Sequence, residues 1–141
     1  MTQPSERPPK PIPDVDELSK PFFDGAARGV LMIRRCRSCG TYLAPAVEEI
    51  CPECLGEELE WAEAAGRATL YSFGVMHQFY HAAFSDELPY NVAIVELTEG
   101  PRLQTNIVGV DVAALRVGMP LAVTFEEVAP GRMLPKFRPA D

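Results

Sequence analysis

In the second half of the chain, Thr69, Tyr71, Phe73 and Val75 alternate with their neighbours in ATLYSFGVMHQF, the period-two pattern of a half-buried strand. Apolar runs follow at NVAIVEL, RLQTNIV, LAVTFEEV and MLPKFR, separated by Leu88-Pro89, Glu99-Gly100-Pro101, Gly109 and Pro130-Gly131. Between the third and fourth runs, DVAAL predicts one helical turn, capped by Asp111 and stopped by Gly118 and Pro120. Five short strands with a helical turn between the third and fourth form the pattern of an OB-fold, a small, partly open barrel. A generic small β-barrel shares it.

Upstream the texture differs. SKPFFDGAAR predicts a short helix with Ser19 as N-cap, Pro21 in its first turn and Gly29 as its end. VLMIRR then reads as a strand leading into the cysteines. Six of the 14 prolines fall within the first 21 residues, so Met1 to about Ser19 is expected to be an extended, poorly ordered arm. The expected division is an arm over 1–18, a helix and ribbon over 19–65 and an OB-fold over 66–141.

The clearest chemistry is in the cysteines. Cys36 and Cys39 form one C-x-x-C, and Cys51 and Cys54 a second, with eleven residues between. That spacing lets two tight turns aim four thiolates at one ion while backbone N–H groups face the sulfurs. Gly40 suits the left-handed residue that closes the first turn; at the second, Leu55 stands in that place and Gly56 is expected to take over its role. The pattern CRSCG…CPEC resembles rubredoxin, whose all-sulfur site holds iron. Structural zinc is the favoured ion, since an electron carrier needs no separate barrel; iron is the alternative. Four cysteines leave no open position for water or substrate, so no metal catalysis is expected.

Charge narrows the classes. The 141 residues carry 13 Lys+Arg against 20 Asp+Glu, net −7, with 47% hydrophobic residues. An acidic chain opposes binding to nucleic acid or anionic membrane. No stretch resembles a membrane span or a signal peptide, so a cytoplasmic location with reduced thiols is expected. Residues 38–66 contain no Lys or Arg but hold Glu48, Glu49, Glu53, Glu57, Glu58, Glu60 and Glu63. The cations lie elsewhere: Arg28, Arg34, Arg35 and Arg37 before the knuckles, and Arg102, Arg116, Arg132, Lys136 and Arg138 in the barrel half. They read as solvated surface charge, or alternatively as a patch for a phosphorylated ligand such as coenzyme A.

Other candidates are weaker. His77 and His81 are spaced i, i+4 but lie at a strand end and loop without a neighbouring Glu, so a metal role is not expected. Phe79, Tyr80, Phe84 and Tyr90 fall in the loop after the first barrel strand, where they read as a core lid or a protein interface. Ser72, Ser85 and Asp86 have no spacing that makes a triad with the histidines. No catalytic set emerges.

The succession PFFDGAARGVLMIRRCRSCG, CPEC, LEWAEAAGRATLYSFGVMH, LPYNVAIVELTEGPRLQTNIVG, LRVGMPLAVTFEEV and LPKFRP resembles small bacterial and archaeal proteins that join a rubredoxin-like zinc ribbon to an OB-fold. They are found beside acyl-CoA enzymes and were long filed as a domain of unknown function. The likeness runs from about Lys20 to Pro139, departing at Phe23, where many members carry Trp, and at Leu55, where Gly is usual. It implies a zinc-binding accessory subunit, with Cys36, Cys39, Cys51 and Cys54 as ligands. The implied partner is a thiolase-superfamily protein, such as a lipid-transfer-type retro-aldolase of steroid side-chain degradation, sharing its acyl-CoA substrate; other members accompany MaoC-type hydratases. The resemblance further implies that Phe22, Phe23 and the ribbon dock on that partner and that the barrel helps shape the acyl-CoA channel. The competing readings are a free-standing acyl-CoA binder and an iron electron carrier.

Overall fold

A computed structural model describes residues 9–140; the first half of the expected arm lies outside the described residues. Residues 9–15 form neither helix nor strand. Lys10 reaches Glu87 at 2.7 Å and lies over the Phe84 ring, while Arg132 donates to the Pro13 carbonyl. This stretch therefore runs along the barrel surface.

Helix α1 spans Lys20–Ala27 and ends at Gly29 with φ +78°. Its start differs from expectation. The Ser19 side chain does not cap the helix; it accepts from the Asp16 N–H at 3.0 Å, while the Asp16 carboxylate accepts from the Ser19 N–H at 2.8 Å. This is the reciprocal arrangement of a capping box, one turn earlier than predicted. Gly25 faces Met32 so closely that an added Cβ would lie 2.4 Å from its Cγ.

The ribbon is a three-stranded antiparallel sheet. Strand β1 (Met32–Cys36) is central, with β2 (Tyr42–Leu43) and β3 (Leu59–Glu63) on its edges. Neither β2 nor β3 is visible in the hydrophobic pattern, because one is two residues long and the other, LEWAE, has no buried face: its first four residues are half-buried and Glu63 is exposed.

The barrel strands are β4 (Arg67–Met76), β5 (Tyr90–Leu97), β6 (Arg102–Thr105), β7 (Pro120–Ala129) and β8 (Arg132–Pro139). They pair antiparallel in the order β6-β5-β4-β7-β8. The sheet curls until Ile107 meets Phe137 in a parallel bridge, where the Val108 N–H donates to the Phe137 carbonyl at 2.8 Å. Closure between the third and fifth barrel strands gives the predicted OB-fold. A 3-10 turn at Val112–Ala114 occupies the predicted position, though Asp111 caps it without a side-chain hydrogen bond. A second 3-10 turn, Ala82–Glu87, lies in the β4–β5 connection, its first amides met by His81 Nδ1 accepting from Ala83 at 3.1 Å.

The buried core joins both modules. Leu31 and Ile33 pack with Ala68, Leu70, Ala93, Val95, Leu97, Ile107, Leu115, Leu121 and Phe137. A separate small cluster holds Cys36, Leu43 and Cys51, with Val47 and Leu59 against it. Where β6 departs from β5, Asn91 bridges the gap: its amide donates to the Ile107 carbonyl at 2.8 Å and its oxygen accepts from the Ile107 N–H at 2.7 Å. A side chain thus stands in for a strand's hydrogen-bonding edge, which leaves this buried polar group satisfied. Among the described residues, no helix is long and apolar enough to cross a membrane.

Candidate metal centre

Each cysteine pair sits on a turn built the same way. In the first, the Gly40 N–H donates to the Cys36 carbonyl at 2.8 Å and the Cys36 N–H to the Thr41 carbonyl at 3.0 Å. In the second, the Leu55 N–H donates to the Cys51 carbonyl at 2.8 Å and the Cys51 N–H to the Gly56 carbonyl at 2.9 Å. The two knuckles are pseudo-symmetric, and both need a left-handed residue in the same place. Gly40 supplies it with φ +77°; Leu55 supplies it with φ +63°. The expectation that Gly56 would take over the role is therefore wrong: Leu55 bears the strain itself. Gly56 matters for space instead, since a Cβ there would lie 3.1 Å from Ser38 Oγ and 3.2 Å from Cys54 Sγ.

The four sulfurs lie within 4.8 Å of one another, Cys36 to Cys54 at 3.5 Å and Cys39 to Cys51 at 3.7 Å. Sulfurs about 2.3 Å from a central ion at tetrahedral angles stand ~3.8 Å apart, so this donor set fits a tetrahedral thiolate centre. Cys36 and Cys51 are buried, Cys39 and Cys54 exposed, so one thiol of each pair faces the small core and one faces water. Backbone N–H groups of Glu53 and Gly56 point at Cys51 and Cys54, each at 3.4 Å, supplying the outer hydrogen bonds that steady thiolates.

The thiols are unequal. The Thr41 hydroxyl, 3.3 Å from Cys39 Sγ, and the Thr41 backbone bring Cys39 down to about 6. At Cys54 the Gly56 N–H pulls downward, but the neighbouring Cys36, desolvation, Cys39 and Cys51 outweigh it and push the thiol up to about 12. Four negative sulfurs cannot share so small a space without a cation between them.

Next to this cluster stands a residue that sequence reasoning placed among surface cations. Arg34, paired across the sheet with Trp61 and Leu43, is only 7% exposed, and its guanidinium stacks on the Trp61 ring at 4.5 Å. Burial lowers its pKa from the ordinary value. The pattern gave no warning, because Ile33 and Arg34 are buried in succession and β1 therefore has cover on both faces.

The remaining cations are mostly engaged locally. Arg37 meets Glu60 at 3.1 Å, Arg35 lies over Tyr42, Arg102 bonds Glu96 at 3.0 Å and covers Tyr71, and Lys136 donates to Asn106 at 2.7 Å. Each of these four is thus drawn to a local partner rather than left free for a phosphate. A cavity of about 520 Å³ opens between residues 10–11, the Ala82–Glu87 turn and the barrel, lined by Phe84, Tyr90, Val128 and Leu134 among others.

The expected interface aromatics fall in two groups. Phe22 packs against the shared core, and Phe23 meets it edge-on at 5.2 Å beneath Arg132. Phe84 is half-buried between Lys10, His81 and Tyr90, while Tyr80 is 85% exposed. His77 and His81 are exposed, and His81 spends its Nδ1 on the turn.

Comparison with known proteins agrees with this architecture. Residues 23–60 match the family model described as ChsH2, rubredoxin-like zinc ribbon domain, and residues 61–126 that described as ChsH2, C-terminal OB-fold domain. A "Probable enoyl-CoA hydratase alpha subunit" of Thermomonospora curvata is 40% identical over 142 residues, covering 99% of this chain but 44% of that protein's length. The chain thus spans less than half of this relative. A "DUF35 domain-containing scaffold protein" of Methanothermobacter thermautotrophicus is 35% identical over 95 residues, covering 67% of this chain and 70% of the relative. Among solved structures, a chain of an "Ltp2-ChsH2(DUF35) aldolase" aligns with TM-score 0.80 and 40% identity, over 92% of this chain and 99% of that one. With the knuckle geometry, the ribbon-to-barrel order and these matches in agreement, the chain belongs to the DUF35 family, in its two-module form of a ChsH2-type zinc ribbon joined to an OB-fold.

Proposed function

We propose that this chain is a non-catalytic, zinc-stabilised accessory subunit that assembles with a thiolase-superfamily enzyme of the lipid-transfer type, which performs the chemistry on acyl-CoA thioesters such as those of steroid side chains. The observation that carries this reading is the likeness, over nearly the whole length of both chains, to a member of a solved aldolase whose name joins Ltp2 with ChsH2. In this reading Cys36, Cys39, Cys51 and Cys54 hold the zinc. When bound, zinc supplies charge neutralisation for four thiolates and a fixed ribbon. A filled sulfur shell leaves it no substrate position.

The residues of this chain then supply contact and shape. Phe22 holds α1 against the core, and Phe23 and Tyr80 offer aromatic surface to the partner on a cytoplasmic assembly. Phe84 walls the cavity beside the barrel rather than standing free. Co-expression with a lipid-transfer-type thiolase or a MaoC-type hydratase from the same organism tests the reading. Co-purification, and partner activity that rises when this chain is added, are expected; full activity of the partner alone would end it. Elemental analysis separates zinc from iron.

The runner-up is a free-standing acyl-CoA binder, favoured by the 520 Å³ cavity. The two lysines that line it are already engaged, Lys10 with Glu87 and Lys136 with Asn106. Saturable binding of an acyl-CoA to the isolated chain would promote this reading.

A further inference from the structure

Buried charges in proteins are paired, because an unpaired one forfeits its hydration without return. Arg34 breaks that rule. It is 7% exposed, its Nε is buried without a hydrogen-bond partner, and among the described residues its guanidinium makes no ion pair. One face is covered by Trp61, so the N–H edge in the guanidinium plane is what remains to be satisfied. Arg34 lines a hollow of about 150 Å³ between Asp16, Leu18 and Ser19 at the start of α1 and the ribbon loop Pro45–Glu48. That is space for roughly five waters, or for one carboxylate with its solvent. Arg34 also lines a wider hollow with Glu48, Glu49 and Glu57, all exposed and none within ion-pair distance.

We propose that Arg34 is a socket for a carboxylate of the partner protein, an Asp or Glu side chain or a C-terminus, inserted between α1 and the ribbon loop. The chemistry favours this occupant over a phosphate. The hollow has one cation and is edged by Asp16 and Glu48, so it suits a planar monoanion taken edge-on and disfavours a dianion. The site opens at the surface, between the start of α1 and the ribbon loop Pro45–Glu48. The inference rests on the accessory-subunit reading for the identity of the partner, but the socket can be tested without it.

Trp61 is the only tryptophan of the chain and reports directly on Arg34. Acetate and, separately, inorganic phosphate are added to the zinc-loaded, 15N-labelled protein at fixed ionic strength, with Trp61 emission and the Arg34 Nε–H resonance followed. Acetate should give a saturable shift in both, stronger than that of phosphate and absent from Arg34→Met. A response that never saturates overturns the socket; a stronger response to phosphate overturns the carboxylate assignment. Arg34→Met should also leave the isolated chain at least as stable as wild type, since it removes an uncompensated charge while keeping the packed stem. The same variant should weaken assembly with the partner by roughly 30-fold or more, whereas Arg37→Met should not. A destabilisation of Arg34→Met that Glu48→Gln or Glu57→Gln reproduces would show that Arg34 pairs internally with that glutamate, against the proposal, whereas loss of the stacking on Trp61 alone would not be reproduced by either. If the wild-type chain does not assemble with the partner at all, the accessory reading fails; if assembly survives Arg34→Met unchanged, the socket alone fails.

Discussion

Leu55 shows how one residue can carry strain for a whole site. Its φ of +63° costs a side chain roughly 1–2 kcal/mol, and its side chain, 75% exposed, recovers little by burial. Replacing it by Gly removes the strain but returns about 0.4–1 kcal/mol of chain entropy to the unfolded state. The expected net is a gain of about 0.5–1 kcal/mol for Leu55→Gly, read as a higher unfolding midpoint of the metal-loaded protein. Gly56→Ala should move the midpoint the other way, because its Cβ would crowd Ser38 and Cys54. At this scale the cysteine cluster was legible in the sequence, since spacing alone groups the four residues. The closing residue of the second knuckle was not: a glycine one position late looked like a substitute, and only the Leu55 N–H bond to Cys51 reveals which position must be left-handed.

The elements show where pattern reading succeeds and where it slips. Five barrel strands and the intervening turn were legible because their polar breaks are sharp, but the inward face of β4 was not. Thr69 and Tyr71 are exposed while Ala68 and Leu70 are buried, and a bulge between Leu70 and Ser72 then returns Phe73 to the inward side. One extra residue inverts the alternation, and period two alone cannot register it. Helix α1 yields two predictions. Gly25→Ala gains about 1 kcal/mol in helix propensity, yet its Cβ would meet Met32 Cγ at 2.4 Å and the Val30 carbonyl at 3.0 Å. Overpacking costs about 1–3 kcal/mol, so a net loss in urea unfolding is expected. At the other end, the Ser19 backbone N–H and then its hydroxyl hold the Asp16 carboxyl below its ordinary value of 3.8. A group held down in the folded state stabilises above that ordinary value, and the benefit disappears as pH falls through the lower, folded one. Protection factors of the amides at the start of α1, corrected for the intrinsic exchange rate at each pH, should therefore fall on acidification in wild type, and should already be low near neutrality in Asp16→Ala.

Across the whole molecule, the two modules are joined by hydrophobic packing but held by different forces. Leu31 and Ile33, at the start of the ribbon, belong to the barrel core, while Cys36, Leu43 and Cys51 form a cluster too small to stand alone. A structural zinc supplies an apparent ~10–16 kcal/mol in small ribbons, far more than three buried side chains can replace. The barrel has its own closure, through the Ile107–Phe137 bridge and the Asn91 splint, and no cysteine takes part in it. Removing the ion should therefore split the cooperativity of unfolding rather than unfold the chain. Hydrogen exchange on chelator-treated protein is expected to show lost protection across residues 37–58, where the knuckles and β2 depend on the sulfurs. Protection should persist at Leu70, Val95 and Leu121 in the barrel, with β1 divided near Arg34, since its first half is fastened to the barrel and its last residue belongs to the cysteine cluster. Uniform loss of protection would mean that the ribbon's fold is needed to keep Leu31 and Ile33 in place. Metal binding would then govern the shape of the entire subunit rather than that of one end.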